Sequence, residues 1–378
     1  MTPAVYAGAK TIRQMAARSA AYADIRTNTA TILQYFVRPM LARIQRNVPL
    51  APLTTLGIGG PAKFFVEATN VDEIREAVVW AASNEQPLLV LAGGSNVLIA
   101  DEGFNGLVLR LDLRGITTQN GGLVNVAASE PWDDFVAMAV AKRWAGIECL
   151  SGIPGSTGAT PIQNVGAYGQ DVSETIVDVE VFERSSRGIA TLSNAECRFA
   201  YRSSIFKGEA KDRYIVLSVR FRLTPDGPPA VRYPELQRFV GHAADLQQVR
   251  DAVITIRRRK GMVIDPADPD TRSDGSFFMN PILSAAEFEK FPRKDAPNFP
   301  AADGVKLSAA WLIENAGFHK GFVHGNVGIS TKHTLAIINR GGGTAREVRE
   351  LVTIIQQRVR EKFGVDLQPE PNMLGSGL

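Results

Sequence analysis

Cysteine and histidine are scarce in this chain of 378 residues, with two and four copies. Cys149 and Cys197 lack the spacing of a disulfide framework or a zinc site, which favours reduced thiols in a cytoplasmic protein. The four histidines form no metal-ligand motif, so no metal site is predicted. No apolar run reaches the roughly 18 residues of a membrane span. A net charge of +3 gives no reason to expect nucleic acid or membrane partners.

Several common enzyme motifs are also missing. The chain has neither the lysine pattern of a P-loop nor the G-x-S-x-G elbow of a serine hydrolase. Residues 57–62 (GIGGPA) match G-x-G-x-x-A, but a Rossmann fingerprint follows a strand and opens a helix. Here the strand-like run 63–68 (KFFVEA) comes after the glycines, so a Rossmann domain is not predicted.

Glycine is concentrated in residues 150–169 (LSGIPGSTGATPIQNVGAYG), which contain five glycines and no charged residue. Glycine lets the backbone approach a ligand closely, and successive N–H groups can cradle phosphates. A mobile linker is richer in Ser, Glu or Lys, whereas the apolar residues of this run indicate packing. Residues 93–96 (GGSN) follow a buried strand and are either a second pyrophosphate-binding turn or a plain turn.

Helical and strand patterns alternate along the chain, which indicates an α+β or α/β protein rather than a repeat array. The length suggests two or three domains. Apolar spacing predicts helices at 71–84, 131–143, 245–260, 307–316 and 344–363, and strands at 63–68, 87–92, 106–113, 123–129, 176–184 and 215–223. The last helix has the strongest signals, with Thr344 and Glu347 as a capping box and Gly364 as its end. The Pro/Asp-rich run 265–274 predicts a loop.

Residues 1–47 differ from the rest of the chain in charge. They hold seven Lys and Arg residues against one acid, Asp24, so their formal charge is +6 and the rest of the chain carries −3. A basic leader with few acids resembles a transit peptide. We favour instead an extension peculiar to the family, or upstream sequence translated from a misplaced start, since Met40 precedes the globular pattern. We expect residues 1–47 to lie outside the fold.

Three side chains suggest acid–base and anion chemistry. Ser276 lies beside a glycine and two aromatics in GSFFMNP. It has no His/Asp partner, so a proton-donating role is more natural than a nucleophilic one, although a plain strand-end serine is more common. Arg202 lies among apolar and aromatic residues and needs an anionic partner, either an Asp/Glu or a ligand carboxylate. Glu370 stands between two prolines, which alone do not define a site.

Together these segments resemble one family, the UDP-N-acetylenolpyruvoylglucosamine reductases (UDP-N-acetylmuramate dehydrogenases) of peptidoglycan synthesis. Motifs stand in the family's order across roughly residues 48–375: TLGIGGPA, LAGGSNVLIADEGFNGLVL, GIPGSTGATPIQNVGAYGQDV, CRFAYRSSIFK, SDGSFFMNP, WLIENAGFHKGFVHGNVGIS and LQPEPNMLG. Each motif is weak alone, but the ordered set is highly specific.

The resemblance implies an α+β chain with a two-subdomain FAD-binding fold of the vanillyl-alcohol-oxidase (PCMH) type and a C-terminal α/β substrate-binding domain. The expected boundaries are 48–110 with the tail 366–378 for the first FAD-binding subdomain, 111–255 for the second and 256–365 for the substrate-binding domain. The resemblance also implies bound FAD, NADPH as reductant and a nucleotide-sugar substrate. A cytoplasmic monomer is expected.

The implied reaction has two steps. NADPH reduces the flavin and leaves, and a hydride then passes from flavin N5 to the vinyl carbon of the enolpyruvyl nucleotide sugar, which becomes the lactyl ether of UDP-N-acetylmuramate. Negative charge develops on the substrate carboxylate as an enediolate, which preorganised cations or donors stabilise. By resemblance, Arg202 and Glu370 flank that carboxylate and Ser276 gives the proton to the α carbon.

The resemblance also assigns binding residues. Tyr233 matches the tyrosine that closes over the nucleotide in the longer subclass of the family, and Arg257 and Lys260 match residues that hold the substrate phosphates. The full substrate-binding set is Tyr201, Tyr233, Arg257, Lys260 and Asn280. The cofactor-binding set is Gly57, Ile58, Gly93, Gly94, Ser95, Asn96, Gly152, Gly155, Ser156, Gln163, Asn164 and Gly166.

The chain departs from the family pattern at three positions near these motifs. Ala92 replaces the first glycine of GGGSN, Met279 stands where lysine is usual, and Asp274 stands where alanine is usual, two residues from the expected acid. Two alternatives compete with the reductase: another flavin oxidase or dehydrogenase on the same scaffold, and a nucleotide-sugar binder without catalysis. Neither needs Arg202, Ser276 and Glu370 together, and all three are present.

Overall fold

The computed structural model describes residues 43–241 and 244–375. Its helices are α1 (Val71–Ser83), α2 (Trp132–Ala141), α3 (Pro234–Val240), α4 (Leu246–Arg259), α5 (Ala285–Lys290), α6 (Ala309–Asn315) and α7 (Ala345–Phe363). None of the helices in the described ranges is long and apolar enough to cross a bilayer.

The strands of the first half are β1 (Gln45–Pro49), β2 (Pro61–Ala68), β3 (Leu88–Leu91), β4 (Val97–Ile99), β5 (Phe104–Leu111), β6 (Ile116–Gln119), β7 (Leu123–Ala127), β8 (Trp144–Ala145), β9 (Gly166–Ala167), β10 (Gln170–Asp171) and β11 (Ile176–Glu183). Those of the second half are β12 (Ile189–Ser193), β13 (Tyr214–Arg222), β14 (Thr224–Pro225), β15 (Ser273–Ser276), β16 (Ile282–Leu283), β17 (Asn298–Ala301), β18 (Gly304–Leu307), β19 (Val323–His324), β20 (Val327–Ile329), β21 (Ala336–Asn339) and β22 (Asn372–Leu374).

A four-stranded sheet in the order β1-β2-β5-β3 forms the first subdomain. β2, β5 and β3 are parallel, and β1 pairs antiparallel with β2, where Gln45 faces Phe65. The helix α1 begins where the Asn70 side chain accepts from the Glu73 N–H, a cap that satisfies a free helix donor. The expected boundary at residue 47 therefore falls inside β1, and most of the basic segment lies outside the described residues.

The second subdomain is a five-stranded antiparallel sheet in the order β12-β11-β13-β7-β6. Its inner face shares one hydrophobic core with the first subdomain, in which Trp132, Phe135 and Phe221 pack edge to face or tilted. The helix α4 packs on this subdomain through Val249 and Val253. The expected boundary between residues 255 and 256 therefore falls inside α4.

The C-terminal part has its own core, built by α6, α7 and an antiparallel sheet in the order β15-β21-β20-β19. A smaller sheet, β16-β18-β17, is also antiparallel. The predicted capping box of α7 is present, because Thr344 and Glu347 exchange bonds across the first turn, and Gly364 ends the helix with a left-handed φ of 68°. The loop expected over 265–274 ends earlier, since β15 begins at Ser273.

The C-terminal tail, residues 366–375 of the described chain, packs against both the first subdomain and the C-terminal part. β22 pairs in parallel with β4, which directly follows the GGSN turn. Just before β22, the tail runs beside the residues after β15: the N–H of Glu370 donates to the carbonyl of Phe277 at 2.8 Å. This path places a carboxylate from the tail next to the strand that carries Ser276.

Candidate active site

One large cavity of about 890 Å³ lies where the two subdomains, the C-terminal part and the tail meet. Its wall includes Gly93–Asn96 from the first subdomain, Tyr201 and Arg202 from the second, Ser276 from β15 and Glu370 from the tail. Residues far apart in sequence therefore face one space, which is the usual position of a ligand site between domains.

Two glycine loops touch each other at one edge of this cavity. A Cβ added to Gly93 would lie 2.8 Å from the Cα of Gly155, and one added to Gly155 would lie 2.6 Å from the Ser95 hydroxyl. The Ser95 hydroxyl also donates to the carbonyl of Pro154 at 3.1 Å. Only glycine permits this approach, with Gly155 at a φ of 112°. The loops 93–96 and 150–169 thus form one continuous surface.

A chain of polar contacts joins the glycine loops to the tail. The Asn96 amide donates to Gln163 Oε1 at 2.7 Å, and the Gln163 amide donates to Glu370 Oε1 at 3.1 Å. The same carboxylate oxygen lies 3.3 Å from Arg202 Nε. We call Gln163, Arg202, Lys207 and Glu370 the Glu370 cluster.

Arg202 is fixed by its backbone carbonyl partners as well as by Glu370. Its Nη2 donates to the carbonyl of Gly166 at 2.5 Å and its Nη1 to that of Asn164 at 3.4 Å. Its own backbone has a φ of 51°, which is uncommon for a residue with a side chain. Such a conformation costs free energy and is often found at functional sites.

Burial sets the acid–base properties of the Glu370 cluster. Removal from water raises the pKa of Glu370, although Arg202, Lys207 and the Gln163 amide all act to lower it. Burial likewise lowers the pKa of Lys207, whose ammonium donates to the carbonyl of Glu370 at 3.1 Å. The neutral carboxyl of Glu370 and the neutral amine of Lys207 are therefore more readily populated than they would be in water.

Ser276 lies half-buried on the cavity wall at the end of β15 and pairs with Ala336 of β21. Next to it, the Glu370 N–H is bound to the Phe277 carbonyl, so β15 and the Glu370 cluster are directly connected. Asn280, also on the wall, accepts from the Ala309 N–H at 2.9 Å at the start of α6.

Sequence reasoning missed two lysines of the wall, Lys207 and Lys306. Lys207 stands in the CRFAYRSSIFK motif but was given no role. Lys306 of β18 lies with its ammonium 4.7 Å from the centre of the Tyr201 ring, a cation–π distance. No local pattern marks Lys306, because strand pairing and domain packing bring it to the site.

A second group of wall residues is aromatic and cationic, and we call Tyr168, Tyr233, Arg257, Lys260 and His333 the Tyr168 cluster. Tyr233 precedes α3, is 38% exposed and meets the Tyr168 ring edge to face at 5.6 Å between centres. Lys260 lies 5.9 Å from the Tyr168 ring centre and pairs with Glu235 at 2.7 Å. Tyr168 and His333 had no predicted role.

The Tyr168 cluster is rich in positive charge. Arg257 is buried, donates from Nη2 to the carbonyl of Met262 at 2.8 Å, and has a buried Nε with no partner among the described residues. Burial together with Lys260, Lys320 and Arg257 lowers the pKa of His333 to about 4. A buried cation with a free donor needs an anion, so this part of the wall suits a phosphate.

Most predicted site residues line the cavity, but five do not: Gly57, Ile58, Gly152, Gly155 and Asn164. Gly155 and Asn164 lie directly behind the wall, and the Gly152 N–H donates to Asp133. Ile58 is buried in the C-terminal core, and the carbonyl of Gly57 accepts from Asn339 at 3.1 Å. In the structure these two residues join the domains, and their contact with the cofactor stays a prediction.

Comparisons with known proteins match both halves of the chain. The FAD binding domain family matches residues 62–187, and the family described as UDP-N-acetylenolpyruvoylglucosamine reductase, C-terminal domain, matches residues 266–374. The chain is 50% identical over 355 residues to the UDP-N-acetylenolpyruvoylglucosamine reductase of Thermobifida fusca, which covers 89% of this chain and 99% of the relative. The Mycobacterium tuberculosis reductase is 44% identical over 356 residues, 88% of this chain and 96% of its own.

A solved structure agrees with these relatives. The crystal structure of UDP-N-acetylenolpyruvylglucosamine reductase from Thermus caldophilus superposes with a TM-score of 0.62 at 27% identity, covering 88% of this chain and 99% of that one. The predicted FAD-binding fold with an additional C-terminal domain is therefore confirmed.

The residues of the cavity fit FAD. The volume of about 890 Å³ lies near the top of the roughly 300–1,000 Å³ of ligand clefts. The contact between Gly93 and Gly155 leaves backbone without side chains at one edge, where N–H groups can meet a pyrophosphate. The Ser156 hydroxyl there is buried and has no partner among the described residues. Gly93–Asn96 and Ser156 are thus the groups that would hold the cofactor.

Proposed function

The chain belongs to the UDP-N-acetylenolpyruvoylglucosamine reductase family, and we propose that it reduces the enolpyruvyl nucleotide sugar with electrons from NADPH, using Ser276 as proton donor. It is an FAD-dependent oxidoreductase of cell-wall precursor synthesis that acts on small molecules. NADPH as reductant, and with it the assignment as an NADP⁺-dependent UDP-N-acetylmuramate dehydrogenase, is part of the proposal.

The observation that carries this proposal is the meeting of Ser276, Arg202 and Glu370. They come from β15, from the second subdomain and from the tail, and all three line one cavity. Arg202 and Glu370 are 3.3 Å apart, and Glu370 is bonded to the residue after Ser276. Such a set is what addition of a hydride and a proton to an enolpyruvyl group requires.

Arg202 binds the substrate carboxylate in the proposed reaction. Its guanidinium is held by the carbonyls of Gly166 and Asn164, so it needs little rearrangement when negative charge develops. Bound FAD supplies the hydride that adds to the vinyl carbon. The carboxylate side of the substrate then carries the charge of an enediolate, which a fixed cation stabilises.

Glu370 assists as a hydrogen-bond donor when protonated. Burial raises its pKa, so the neutral carboxyl is more accessible than that of an exposed glutamate. A neutral carboxyl can donate to the enediolate, whereas a carboxylate would repel it. Arg202 and Lys207 limit how far the pKa rises.

Ser276 transfers its hydroxyl proton to the α carbon. A serine hydroxyl is a weak acid, so the basic enediolate must draw off the proton directly. The added hydride and proton together convert the carbon–carbon double bond to the lactyl ether, and the serine regains its proton from solvent. The two alternatives, a different flavin oxidase and a binder without catalysis, are not favoured by the named relatives.

The Tyr168 cluster holds the nucleotide in this proposal. Arg257 and Lys260 contact the diphosphate and Tyr233 closes over it. We further propose that the enzyme works as a monomer in the cytoplasm, where nucleotide sugars and NADPH are available. The two cysteines are buried free thiols, as is usual for proteins of a reducing compartment.

Single-turnover mixing tests the proposal. The purified protein is expected to be yellow and to lose its colour within seconds to minutes of adding NADPH. Mixing the reduced protein with the enolpyruvyl nucleotide sugar should restore the oxidised spectrum far faster than buffer alone. A protein that takes up no FAD, or whose reduced flavin ignores this substrate while reacting with phenols or free sugars, would overturn it.

A further inference from the structure

Asp274 is a buried carboxyl two residues before Ser276 on β15. Its side chain is 8% exposed and it lines the cavity wall. Its Oδ1 lies 3.3 Å from the hydroxyl of Thr55, and its Oδ2 is buried without a hydrogen-bond partner among the described residues. The proposed mechanism does not use this group.

The hydrogen bonds of the Thr55 hydroxyl indicate whether the Asp274 carboxyl carries a proton. The Thr55 hydroxyl lies 2.8 Å from the backbone carbonyl of Ser273, and a carbonyl can only accept. A hydroxyl has a single proton to donate, so both contacts are hydrogen bonds at the same time only if Thr55 gives its proton to Ser273, the nearer acceptor. The contact between Thr55 and Asp274 is then a hydrogen bond only if Asp274 carries a proton and donates it to the Thr55 oxygen.

The surroundings of Asp274 agree with a neutral carboxyl. Burial is the main influence and raises its pKa to about 8, while the Thr55 hydroxyl and the Val97 N–H act in the opposite direction. No charged side chain within the described residues contributes to this pKa. An ionised carboxylate here would be a buried charge without a cation, which is costly.

Thr55 also connects this strand to the cofactor side of the site. Its N–H donates to the carbonyl of Gly94 at 2.9 Å, within the GGSN turn. One residue therefore holds the Gly94 turn through its backbone and β15 through its hydroxyl. Asp274 adds the second bond of β15 to Thr55.

We propose that Asp274, in its protonated form, is a positioning residue that fixes the strand of Ser276 against the Gly93–Asn96 turn through Thr55. Loss of its proton leaves a buried charge and makes the carboxylate compete with the Ser273 carbonyl for the single Thr55 proton, so one of the two bonds between Thr55 and β15 is lost. Ser276 is then no longer held at its place relative to the turn. This inference rests on the proposed role of Ser276.

The first test measures stability rather than catalysis. The folded protein binds the Asp274 proton more tightly than the unfolded chain, so this contribution to stability is complete below about pH 4 and is lost as pH rises to about 8. In Asp274→Asn the side chain cannot ionise, and its amide can still donate to Thr55. The Tm of the FAD-loaded variant minus that of the wild type should widen by several degrees between pH 5 and pH 8 and then stay constant.

The second test measures the half-reactions against pH. Reoxidation of the reduced wild type by the enolpyruvyl substrate should slow by about tenfold per pH unit above pH 8, and Asp274→Asn should lack this loss. Thr55→Val should be slow already at pH 7, whereas Thr55→Ser, which keeps the hydroxyl, should behave as the wild type. Asp265→Asn, at an exposed carboxyl of the preceding loop, is the control.

The outcomes separate this inference from the proposed reaction. If Asp274→Asn keeps both the Tm profile and the alkaline loss of the wild type, Asp274 does not act as proposed. If the wild type fails to reoxidise with the substrate at pH 7, the proposed function fails, while the Tm profiles still test the protonation of Asp274.

Discussion

The Glu370 cluster and the Tyr168 cluster line the same cavity but differ in how their charges are arranged. In the Glu370 cluster, one buried carboxyl touches an arginine and an amide, and a lysine donates to the backbone carbonyl of the same residue. In the Tyr168 cluster, Arg257 has a buried Nε that no described residue binds, and Lys260, Lys320 and Arg257 together lower the pKa of His333 against the opposite effect of Glu235. The polar groups of the first cluster are nearly all bound within the protein, whereas the second keeps an unbound guanidinium donor among the described residues even though Lys260 is paired with Glu235.

This difference indicates a division of labour. Groups that are already fixed and neutralised are suited to stabilising charge that appears only in the transition state. Groups with unmet positive charge are suited to binding a ligand that is charged from the start. Substitutions in the Glu370 cluster and at Ser276 should therefore change kcat, and those in the Tyr168 cluster should change KM.

Replacing Ser276 should have the largest effect. Ser276→Ala removes the proposed proton donor, so reoxidation of the reduced flavin by the enolpyruvyl substrate should slow by about 10²–10⁴-fold. Reduction of the flavin by NADPH should remain nearly unchanged and serves as the internal control. Stopped-flow absorbance of the flavin measures both steps. Equal loss in both would show that the residue is structural.

Replacing Arg202 should come next. Arg202→Met removes the fixed cation, and kcat should fall by about 10²–10³-fold. Arg198→Met is a matched control, because Arg198 lies on the same segment with its side chain 68% exposed in a pair with Glu209. Steady-state measurement of kcat and KM for both variants tests this prediction. A rise in KM with unchanged kcat would show that Arg202 contributes to substrate binding rather than to the reaction step.

Replacing Arg257 tests the other cluster. Arg257→Met should raise KM for the nucleotide sugar by about 10- to 100-fold, the worth of one charged hydrogen bond, with kcat nearly unchanged. Arg258→Met, at the adjacent exposed position, is the control. A large fall in kcat with unaltered KM would remove the distinction between the two clusters.

Replacing Tyr233 should have the smallest effect. Its ring contributes one edge-to-face contact to Tyr168, which is worth about 0.5–1.5 kcal/mol. Tyr233→Ala should therefore raise KM by about 2- to 12-fold, and Tyr233→Phe should change it less than twofold. Titration of substrate binding to the oxidised protein measures the difference. Equal effects of both variants would assign the contribution to the hydroxyl.

The sequence predicted those helices whose apolar spacing and capping residues lie within one continuous segment. The apolar stripe and caps of α7 predicted a helix over 344–363, which the structure has as Ala345–Phe363 with Thr344 as its cap. The stripe of α1 predicted its buried face. The ordered motifs also selected Ser276, Arg202 and Glu370, which line one cavity. Their roles remain predictions.

Contacts between distant segments were not predictable in this way. Lys306 reaches the site because β18 packs near Tyr201, and Gly57 binds Asn339 across the domains. Neither leaves a periodic signal in the sequence. The pairing of β4 with β22 is of the same kind, because it joins strands that are far apart in the chain.

The pairing of β4 with β22 affects the order in which the parts of the site become available during translation. The residues of both glycine loops leave the ribosome in the first half of translation, whereas Glu370 and β22 are made more than two hundred residues later. A chain that stops before residue 370 lacks the Glu370 carboxylate that lies 3.3 Å from Arg202 even if its earlier parts have folded. The nascent protein therefore contains both loops proposed to bind the flavin well before Ser276 and Glu370, which are proposed to act on the sugar.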